Sequence, residues 1–316
     1  MKLLVTGGAG FIGSHIVDKL IETNHQVVIV DDLSLGVKEN LNPGAQFIEM
    51  DIRCRSLNDL IEQEKFDIVI HQAAQTMVST SIENPFLDCN INITGTVNLL
   101  EACRKNCVKR IIYSSSAAVY GGENSLPIKE TASLNPTSFY GLSKLTVEKY
   151  FELYHKFFGL QYIILRYANV YGERQAASDA GGVISIFTRK VQNGEKVYIN
   201  GDGSQTRDFI YVGDVAWANI QALLTPYVNR VYNISTQTET SLNTLFDLIA
   251  KISGRTVERQ YLSPRAGDIY RSSLLNKSAR KYLCWYPTTT LTDGLTRTYN
   301  FFKSRRIDKD TLQGYK

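Results

Sequence analysis

The fold of this chain is decided by the stretch Thr6-Gly7-Gly8-Ala9-Gly10-Phe11-Ile12-Gly13. It follows a short apolar run, and residues 11–23 then place Ile12, Ile16 and Leu20 on one helical face. Glycines permit a tight turn and let a pyrophosphate approach backbone N–H groups at the start of a helix. The order of strand, glycine-rich turn and helix therefore predicts a dinucleotide-binding unit.

A carboxylate at the end of the second predicted strand supports this interpretation. The run 26–31 ends in Asp31, 18 residues after Gly13. A carboxylate there would accept hydrogen bonds from the adenosine ribose hydroxyls and would repel a 2′-phosphate. The sequence therefore predicts NAD rather than NADP. The alternative is a glycine-rich turn followed by a surface Asp.

Apolar runs alternate with helical patterns through the first half of the chain. Unbroken apolar strands between helices are typical of a parallel sheet buried on both faces. We therefore predict an α/β fold, a Rossmann-type doubly wound parallel sheet with a smaller C-terminal α/β substrate domain. The NAD-binding domain should span 1–171 and a second domain 172–316, with a soft boundary that the chain may recross. Further predicted strands are 67–71, 109–114 and 161–166, and predicted helices are 83–105 and 138–158.

Composition excludes several classes of protein. The 316 residues are 43% apolar and 21% charged, as in globular proteins, which excludes disordered and fibrous chains. The net charge of +4 is concentrated in 303–316, so we expect a solvated tail and no nucleic-acid partner. The apolar runs are too short to span a bilayer. Five cysteines without a CxxC motif, and no leader pattern, favour a cytoplasmic protein without a metal site.

Tyr140 and Lys144 lie four residues apart in a predicted helix, on one face. A Lys ammonium beside a phenol should lower the pKa of the phenol, and the positive nicotinamide of NAD should act in the same direction. The pair would then supply a base near neutral pH. The alternative is two ordinary surface residues. The stretch 114–121, Ser-Ser-Ser-Ala-Ala-Val-Tyr-Gly, adds a hydroxyl cluster where a predicted strand ends, the edge at which α/β sheets bind ligands.

These motifs resemble those of the extended short-chain dehydrogenases/reductases, specifically the NAD-dependent nucleotide-sugar epimerase/dehydratase family. The chain is most similar to bacterial UDP-glucose and UDP-N-acetylglucosamine 4-epimerases, over nearly its whole length. Further matching stretches are Asp51-Ile52, 71–75, Asn92 with Gly95-Thr96, 165–172, 200–212 and 265–268.

The resemblance implies a site for NAD. Asp51 and Ile52 would hold the adenine. Ala73, Ala74 and Asn92 would line the pyrophosphate and nicotinamide side. The full set expected to contact NAD is Gly7, Gly10, Phe11, Ile12, Gly13, Asp31, Asp51, Ile52, Ala73, Ala74, Asn92, Tyr140, Lys144 and Tyr167, of which Tyr167 would pack by the nicotinamide.

The resemblance also implies that 172–316 is the mainly nucleotide-sugar-binding domain, and it implies the catalytic and substrate roles. Ser116 would bond the reacting sugar oxygen, Tyr140 would be the base, and Lys144 would bind the nicotinamide ribose and tune Tyr140. The expected substrate contacts are Gln75, Ser116, Asn169, Val183, Arg207, Arg265, Asp268 and Ser272, with Asn169, Arg207, Arg265 and Asp268 on the UDP moiety.

Arg207 and Arg265 fit these roles on chemical grounds as well, since a guanidinium fork suits diphosphate oxygens. The alternative for each is a surface ion pair, with Asp208 and Asp268 respectively.

The chain departs from the pattern of the relatives at three positions. Glu173 stands where relatives often have Pro, a change without clear chemical meaning in the sequence. Thr76 stands where some relatives have Lys. Gly182 replaces an Asn that some relatives place on the substrate, so a backbone N–H is expected there. These departures concern the sugar rather than the class of reaction.

Ser272 is the predicted specificity residue. In the resembling 4-epimerases, the residue four positions after the Asp of the Arg-x-Gly-Asp motif walls the pocket around the sugar 2-substituent. A Tyr there restricts the enzyme to glucose and galactose, whereas Ser272 would leave room for an N-acetyl group. In the contrary case Arg271 grips a carboxylate and favours UDP-glucuronate.

The resemblance implies a UDP-sugar 4-epimerase that inverts C4 by transient oxidation to a 4-keto intermediate with tightly bound NAD. UDP-glucose/UDP-galactose, UDP-GlcNAc/UDP-GalNAc or both would be substrates, with a UDP-glucuronate 4-epimerase as the alternative. A 4,6-dehydratase or decarboxylase ranks lower, because Ala117-Ala118 stand where those relatives need an acid. A non-catalytic NAD sensor should show a broken catalytic set.

A homodimer is expected as well. Relatives pair through two helices, here about 90–105 and 139–158. The second carries Tyr150, Phe151, Tyr154, Phe157 and Phe158, which cannot all face the sheet in one narrow stripe. The alternative is ordinary core packing.

Overall fold

The computed structural model describes residues 1–122, 125–176, 182–264 and 269–313. Its strands are β1 (Lys2–Thr6), β2 (Gln26–Asp31), β3 (Gln46–Glu49), β4 (Ile68–His71), β5 (Arg110–Ser116), β6 (Gln161–Tyr167), β7 (Asn169–Tyr171), β8 (Val197–Asn200), β9 (Thr206–Arg207), β10 (Phe209–Tyr211), β11 (Arg230–Ile234), β12 (Thr240–Ser241) and β13 (Arg259–Leu262). Its helices are α1 (Phe11–Glu22), α2 (Ser56–Glu64), α3 (Val78–Glu83), α4 (Pro85–Cys89), α5 (Gly95–Lys105), α6 (Phe139–Phe158), α7 (Val183–Asn193), α8 (Val212–Leu224), α9 (Leu242–Ser253), α10 (Lys277–Tyr282) and α11 (Leu291–Gln313).

A seven-stranded parallel sheet forms the centre, in the order β11-β6-β5-β4-β1-β2-β3. The predicted Rossmann-type α/β fold is therefore confirmed. The edge strand β11 comes from the C-terminal half of the chain and pairs with β6. The chain thus returns to the central sheet after residue 171. The domain boundary at residue 171 stays a prediction.

Both faces of the sheet are buried, which explains the unbroken apolar strands. Along β1, Leu3 and Val5 lie in one apolar cluster with Ile16 of α1. Leu4 points to the opposite face and lies in a second cluster with Leu99 of α5. Helices therefore cover both sides of the sheet, as the strand pattern predicts.

The C-terminal region has an apolar core of its own. Phe187 of α7 and Phe246 of α9 pack edge to face, with ring centroids 6.4 Å apart. Leu295 of α11 joins the same cluster. Short two-stranded sheets complete this region, pairing β10 with β7, β12 with β9 and β13 with β8.

One predicted helix is interrupted. The pattern over 83–105 forms α4, then a π-helical turn at Asn90–Thr94, then α5. Such turns frequently mark functional sites, and Asn92 lies within this one. In the described part of the chain, no helix combines the length and apolar character needed to cross a membrane.

Candidate active site

The glycine-rich turn is shaped by close backbone contacts. Gly7 adopts a φ of 71°, and a Cβ there would lie 2.5 Å from the Ala73 amide nitrogen. A Cβ on Gly13 would lie 2.0 Å from the Gly7 carbonyl oxygen. Helix α1 begins directly after Gly10, so its first N–H groups face the turn. A side chain at either position would clash with the backbone, so the glycines permit the tight turn at the start of α1, a geometry that suits a pyrophosphate.

Asp31 ends β2 beside this turn. Its side chain is 7% exposed and accepts hydrogen bonds from the amides of Ala9 and Leu33, both at 2.9 Å. Burial raises the pKa of Asp31, although these backbone donors oppose the shift. The carboxylate is thus held inside the loop that would surround the adenosine ribose, which fits NAD.

The predicted adenine residues lie next to Asp31. The Met50 amide donates to the Asp31 carbonyl at 3.1 Å, which brings the following residues to this edge of the sheet. Arg53 hydrogen-bonds Asp51 and lowers the pKa of that carboxyl. Ile52 is buried, and its carbonyl accepts a hydrogen bond from the side-chain amide of Asn98 at 2.7 Å. The structure therefore places Asp51 and Ile52 beside Asp31, the carboxylate that is predicted to bind the adenosine ribose.

His71 also lies in this region, although we predicted no role for it from the sequence. It is buried at the end of β4, with Nδ1 2.7 Å from Thr6 Oγ1 and Nε2 2.9 Å from Thr96 Oγ1. Thr96 donates its own proton to the Asn92 carbonyl at 2.6 Å, so His71 Nε2 donates to Thr96 and Nδ1 accepts from Thr6. Burial lowers the pKa of His71 to about 3, so the ring is neutral. Its two hydrogen bonds link β4 to β1 and to α5.

A buried network joins Gln75, Asp88 and Asn92. Asp88 Oδ1 accepts from Gln75 Nε2 at 2.8 Å and from Asn92 Nδ2 at 3.1 Å. The Gln75 amide N–H donates to Asn92 Oδ1 at 2.8 Å, and the Gln75 side-chain oxygen accepts the Met77 amide. The side-chain amide of Gln75 is thus engaged within the protein. None of the sequence motifs above includes Asp88, although an acid four residues before Asn92 is a detectable helical spacing.

The structure brings Ser116, Tyr140 and Lys144 together. Ser116 ends β5 and accepts the Ala118 amide at 3.2 Å. Tyr140 and Lys144 lie one turn apart near the start of α6, with Lys144 Nζ 5.8 Å from the centre of the Tyr140 ring. Lys144 is 3% exposed and donates to the Ser114 carbonyl at 2.9 Å. The group lies two strands from β1, on the same edge as the glycine turn.

Burial dominates the electrostatics of this group. Burial raises the pKa of Tyr140 to about 12, although a hydrogen bond with Ser116 works in the opposite direction. Burial also lowers the pKa of Lys144 to about 8, while Asp88 and Glu148 oppose that shift. The phenol of Tyr140 is therefore neutral near neutral pH in this structure, and the lowering of its pKa by Lys144 and bound NAD together stays a prediction.

A buried ion pair supports the catalytic strand and helix. Glu148 of α6 pairs with Arg166 of β6, with Nε to Oε1 2.9 Å and Nη2 to Oε2 2.5 Å. Glu148 Oε1 also accepts the Ser115 hydroxyl at 2.6 Å, and Arg166 donates to the Tyr120 hydroxyl at 2.8 Å. The pair therefore fixes the end of β5 against α6, one residue before Ser116 and one helical turn after Lys144. The sequence did not predict this pair, because Glu148 and Arg166 are 18 residues apart in the chain.

Tyr167 lies buried at the end of β6. Its hydroxyl accepts the side-chain amides of Asn219 at 2.9 Å and Gln72 at 3.4 Å. Burial raises the pKa of Tyr167 to about 12. Tyr167 is therefore uncharged, and it lies beside Ser116 at the edge of the sheet that carries Tyr140 and Lys144.

Two of the predicted substrate residues, Asn169 and Arg207, lie on the short strands β7 and β9. The Asn169 amide donates to the Asp208 carbonyl at 2.9 Å, which pairs β7 with β10. Arg207 is half-buried on β9 and its Nη1 donates to the Thr206 carbonyl at 2.8 Å. The carboxylate of Asp208 is fully buried, so the alternative of a surface ion pair between it and Arg207 is wrong.

The remaining substrate predictions fall in three places. Val183 is the first residue of α7, and Ser272 is partly buried. Arg271 is engaged by Glu239 through two hydrogen bonds of 2.9 and 2.6 Å. Arg265 and Asp268 lie outside the described residues.

Glu173 has a clear structural role. The Tyr211 hydroxyl lies 2.9 Å from both of its carboxylate oxygens, so Glu173 fastens the loop after β7 to β10. A Pro at this position would lack that acceptor.

Known proteins resemble this chain in both sequence and structure. Residues 3–235 match the NAD dependent epimerase/dehydratase family. A putative UDP-glucose 4-epimerase of Methanocaldococcus jannaschii is 50% identical over 303 residues, which cover 96% of this chain and 98% of that protein. The UDP-glucose 4-epimerase of Thermotoga maritima, solved with UDP-glucose, superimposes with a TM-score of 0.94 at 42% identity, covering 96% and 99% of the two chains. A UDP-N-acetylglucosamine 4-epimerase of Methanobrevibacter ruminantium, solved with UDP-N-acetylmuramic acid, gives 0.92 at 37% identity, covering 96% and 98%.

Proposed function

Because the chain belongs to the NAD dependent epimerase/dehydratase family and is an NAD-dependent enzyme, we propose that it is a UDP-sugar 4-epimerase. The observation that carries the proposal is the convergence of Ser116, Tyr140 and Lys144 on the sheet edge that also holds the glycine turn. A base, a hydroxyl donor and a dinucleotide site at one edge suit the oxidation of a sugar hydroxyl.

The chain's own residues divide the work as follows. The cradle of Gly7 and Gly13 would hold the pyrophosphate of NAD, and Asp31 would hold the adenosine ribose. Lys144 would bind the nicotinamide ribose. Ser116 would orient the 4-hydroxyl group of the sugar toward Tyr140.

Tyr140 would accept the 4-hydroxyl proton and return it to the same oxygen when C4 is reduced again. When bound, NAD would supply reversible hydride transfer at C4, and the positive charge of its oxidised form would favour the phenolate. That charge has a clear purpose here, since without it the pKa of Tyr140 is raised to about 12, mainly by burial. We therefore infer that the base is active only in the complex with oxidised NAD.

The residues after Ser116 disfavour a 4,6-dehydratase or decarboxylase. Ala117 and Ala118 form the short turn that follows β5, and neither can shuttle a proton. Glu148 is a nearby acid, but its oxygens are engaged by Arg166 and Ser115. Both features support epimerisation without elimination at C6.

For the sugar itself, we infer that N-acetylated and plain UDP-hexoses are accepted in preference to UDP-glucuronate. The small Ser272 would leave room for a 2-acetamido group. Arg271, the candidate carboxylate-binding residue, is held by Glu239. Binding of a uronate through Arg271 would first have to break that pair.

We also propose a homodimer that works in the cytoplasm. On α6, Phe151 and Tyr154 are buried against the sheet, whereas Phe157 and Phe158 are 65% and 53% exposed. The cysteine pattern supports a reducing compartment. Light scattering at micromolar concentration should give the mass of two chains, and a monomer mass would contradict the dimer.

The test of the function is turnover without any added redox partner. Pure protein should convert UDP-glucose to its C4 epimer, detected by HPLC, with NADH remaining far below one equivalent of product. Product formation that requires added NAD in equal amount, with matching release of NADH, would identify a dehydrogenase instead.

A further inference from the structure

Asp208 is a fully buried carboxylate on which several donors converge. Its Oδ1 accepts the Thr236 amide at 2.9 Å and the Thr236 hydroxyl at 2.7 Å. Its Oδ2 accepts the Gln237 amide at 3.0 Å, the Leu274 amide at 3.3 Å and the Ser273 hydroxyl at 3.4 Å. A charge with this many donors is satisfied within the protein and holds all their segments in place.

The segments that meet at Asp208 carry three predicted substrate contacts. Arg207 immediately precedes it in the chain. The Asp208 carbonyl accepts the Asn169 amide at 2.9 Å. Ser272 immediately precedes Ser273, which bonds the carboxylate. One residue thus links the expected anchors of the diphosphate to the expected wall of the sugar pocket.

Further bonds attach the same wall to β9. The Thr206 amide donates to the Tyr270 carbonyl at 2.9 Å. Glu239 accepts the Thr206 hydroxyl and pairs with Arg271, as described above. The segment 269–274 is therefore fixed in register against β9 at one end by Glu239 and at the other by Asp208.

We propose that Asp208 is a positioning residue for the UDP-sugar: it sets the separation between Arg207 and Ser272 and so governs substrate binding rather than the chemistry at C4. The inference rests on the proposed function. Its partners Asn169, Ser273 and Leu274 lie in segments with predicted substrate contacts, whereas Ser116, Tyr140 and Lys144 lie on β5 and α6. A change at Asp208 should therefore raise KM and leave kcat nearly unchanged.

Asp214 provides a matched control. It is buried on α8 and accepts the Thr288 amide at 3.1 Å, the Thr288 hydroxyl at 2.9 Å and the Thr289 amide at 3.1 Å. This is the same arrangement of amide, hydroxyl and next amide that Asp208 makes with Thr236 and Gln237. The partners of Asp214 carry none of the predicted substrate contacts.

The experiment compares Asp208→Asn and Thr236→Val with Asp214→Asn and Thr288→Val. KM and kcat for UDP-glucose, the Kd of UDP by calorimetry and the melting temperature are measured for each. All four variants should lose stability. Asp208→Asn should raise KM and the Kd of UDP about tenfold, which corresponds to the loss of a charge-assisted hydrogen bond, with kcat within about threefold of wild type. Thr236→Val should act in the same direction, and Thr236→Ser, which keeps the hydroxyl, should restore wild-type KM.

Equal KM and UDP affinity in Thr236→Val and Thr288→Val would overturn the inference and leave Asp208 a purely structural residue. The Thr236 variants decide this even if Asp208→Asn does not fold. A wild-type protein that binds UDP but does not epimerise UDP-glucose would contradict the proposed function, and the UDP affinities would still test Asp208.

Discussion

Two buried carboxylates show how differently the two halves of this protein are built. Asp31, in the N-terminal half, bonds the amides of Ala9 and Leu33, which are 22 and 2 residues away in the chain. Asp208, in the C-terminal half, bonds donors that are 28 to 66 residues away. Asp31 thus stabilises one turn and the strand beside it, whereas Asp208 holds together segments that are distant in the chain.

This difference explains where substrate specificity can change. A motif that is complete within one turn and one strand must be kept or lost as a unit. A pocket formed where separate loops meet can alter one loop while the others stay. We therefore expect changes in the first half to abolish activity or folding, and changes in the second half to alter affinity and substrate choice.

The largest expected effect is that of Tyr140→Phe. Removing the hydroxyl removes the proton acceptor, and kcat should fall by about 10²–10⁴. NAD content, measured after denaturation of the purified protein, should stay at the wild-type level. The control is Tyr150→Phe on the same helix. A Tyr140→Phe enzyme within about tenfold of wild-type kcat would exclude this residue as the base.

Glu148→Gln should have the next largest effect, on the free energy of unfolding. The substitution leaves the buried Arg166 guanidinium without its counter-charge, which should cost about 3–5 kcal/mol. Glu152→Gln is the control on the same helix, because it breaks the exposed pair with Lys149 and should cost less than about 1 kcal/mol. Urea denaturation of both variants measures the difference. Similar losses would mean that the buried pair does not anchor β5 to α6.

Asp31→Asn should weaken NAD binding by about 1.5–3 kcal/mol and reduce the discrimination against NADP. Fluorescence titration with each nucleotide measures both effects. The neighbouring Asp32 is the control, since its carboxylate bonds the Ser34 amide and hydroxyl at the surface. Unchanged NADP discrimination in Asp31→Asn would remove this carboxylate from the ribose site.

The same residue predicts a pH dependence. Burial raises the pKa of Asp31, so the carboxylate is protonated at a higher pH than an ordinary Asp. NAD affinity should therefore fall as the pH is lowered through that raised value. The Asp31→Asn variant should lack this part of the pH profile.

The smallest expected effect is that of Ser272→Tyr in the C-terminal half. The ring should fill the space for a 2-acetamido group and cost UDP-GlcNAc binding about 1 kcal/mol or more. Turnover of UDP-glucose should be spared. Ser273 is an unsuitable control because it bonds Asp208, so Ser304→Tyr, at an exposed position of α11, serves instead. Unchanged turnover of UDP-GlcNAc in Ser272→Tyr would place the pocket wall elsewhere.

The sequence was sufficient for features that depend on local pattern. It predicts the parallel sheet, the helix over 138–158 and the spacing that brings Tyr140 and Lys144 onto one face. It did not predict that burial raises the pKa of Tyr140, because hydration of a side chain depends on the whole fold. It also missed the Glu148–Arg166 pair and the role of Asp208, since neither the partners nor their burial can be read from neighbouring residues.

The most direct test of the account is the fate of the hydrogen at C4 when the reaction is run in D₂O. If NAD stays bound and the C4 hydride returns from it, NMR of the product should show protium at C4 and an epimer ratio that is the same from either starting UDP-sugar. Deuterium at C4 of the product would show that the hydrogen passes through solvent, and it would contradict transient oxidation by bound NAD.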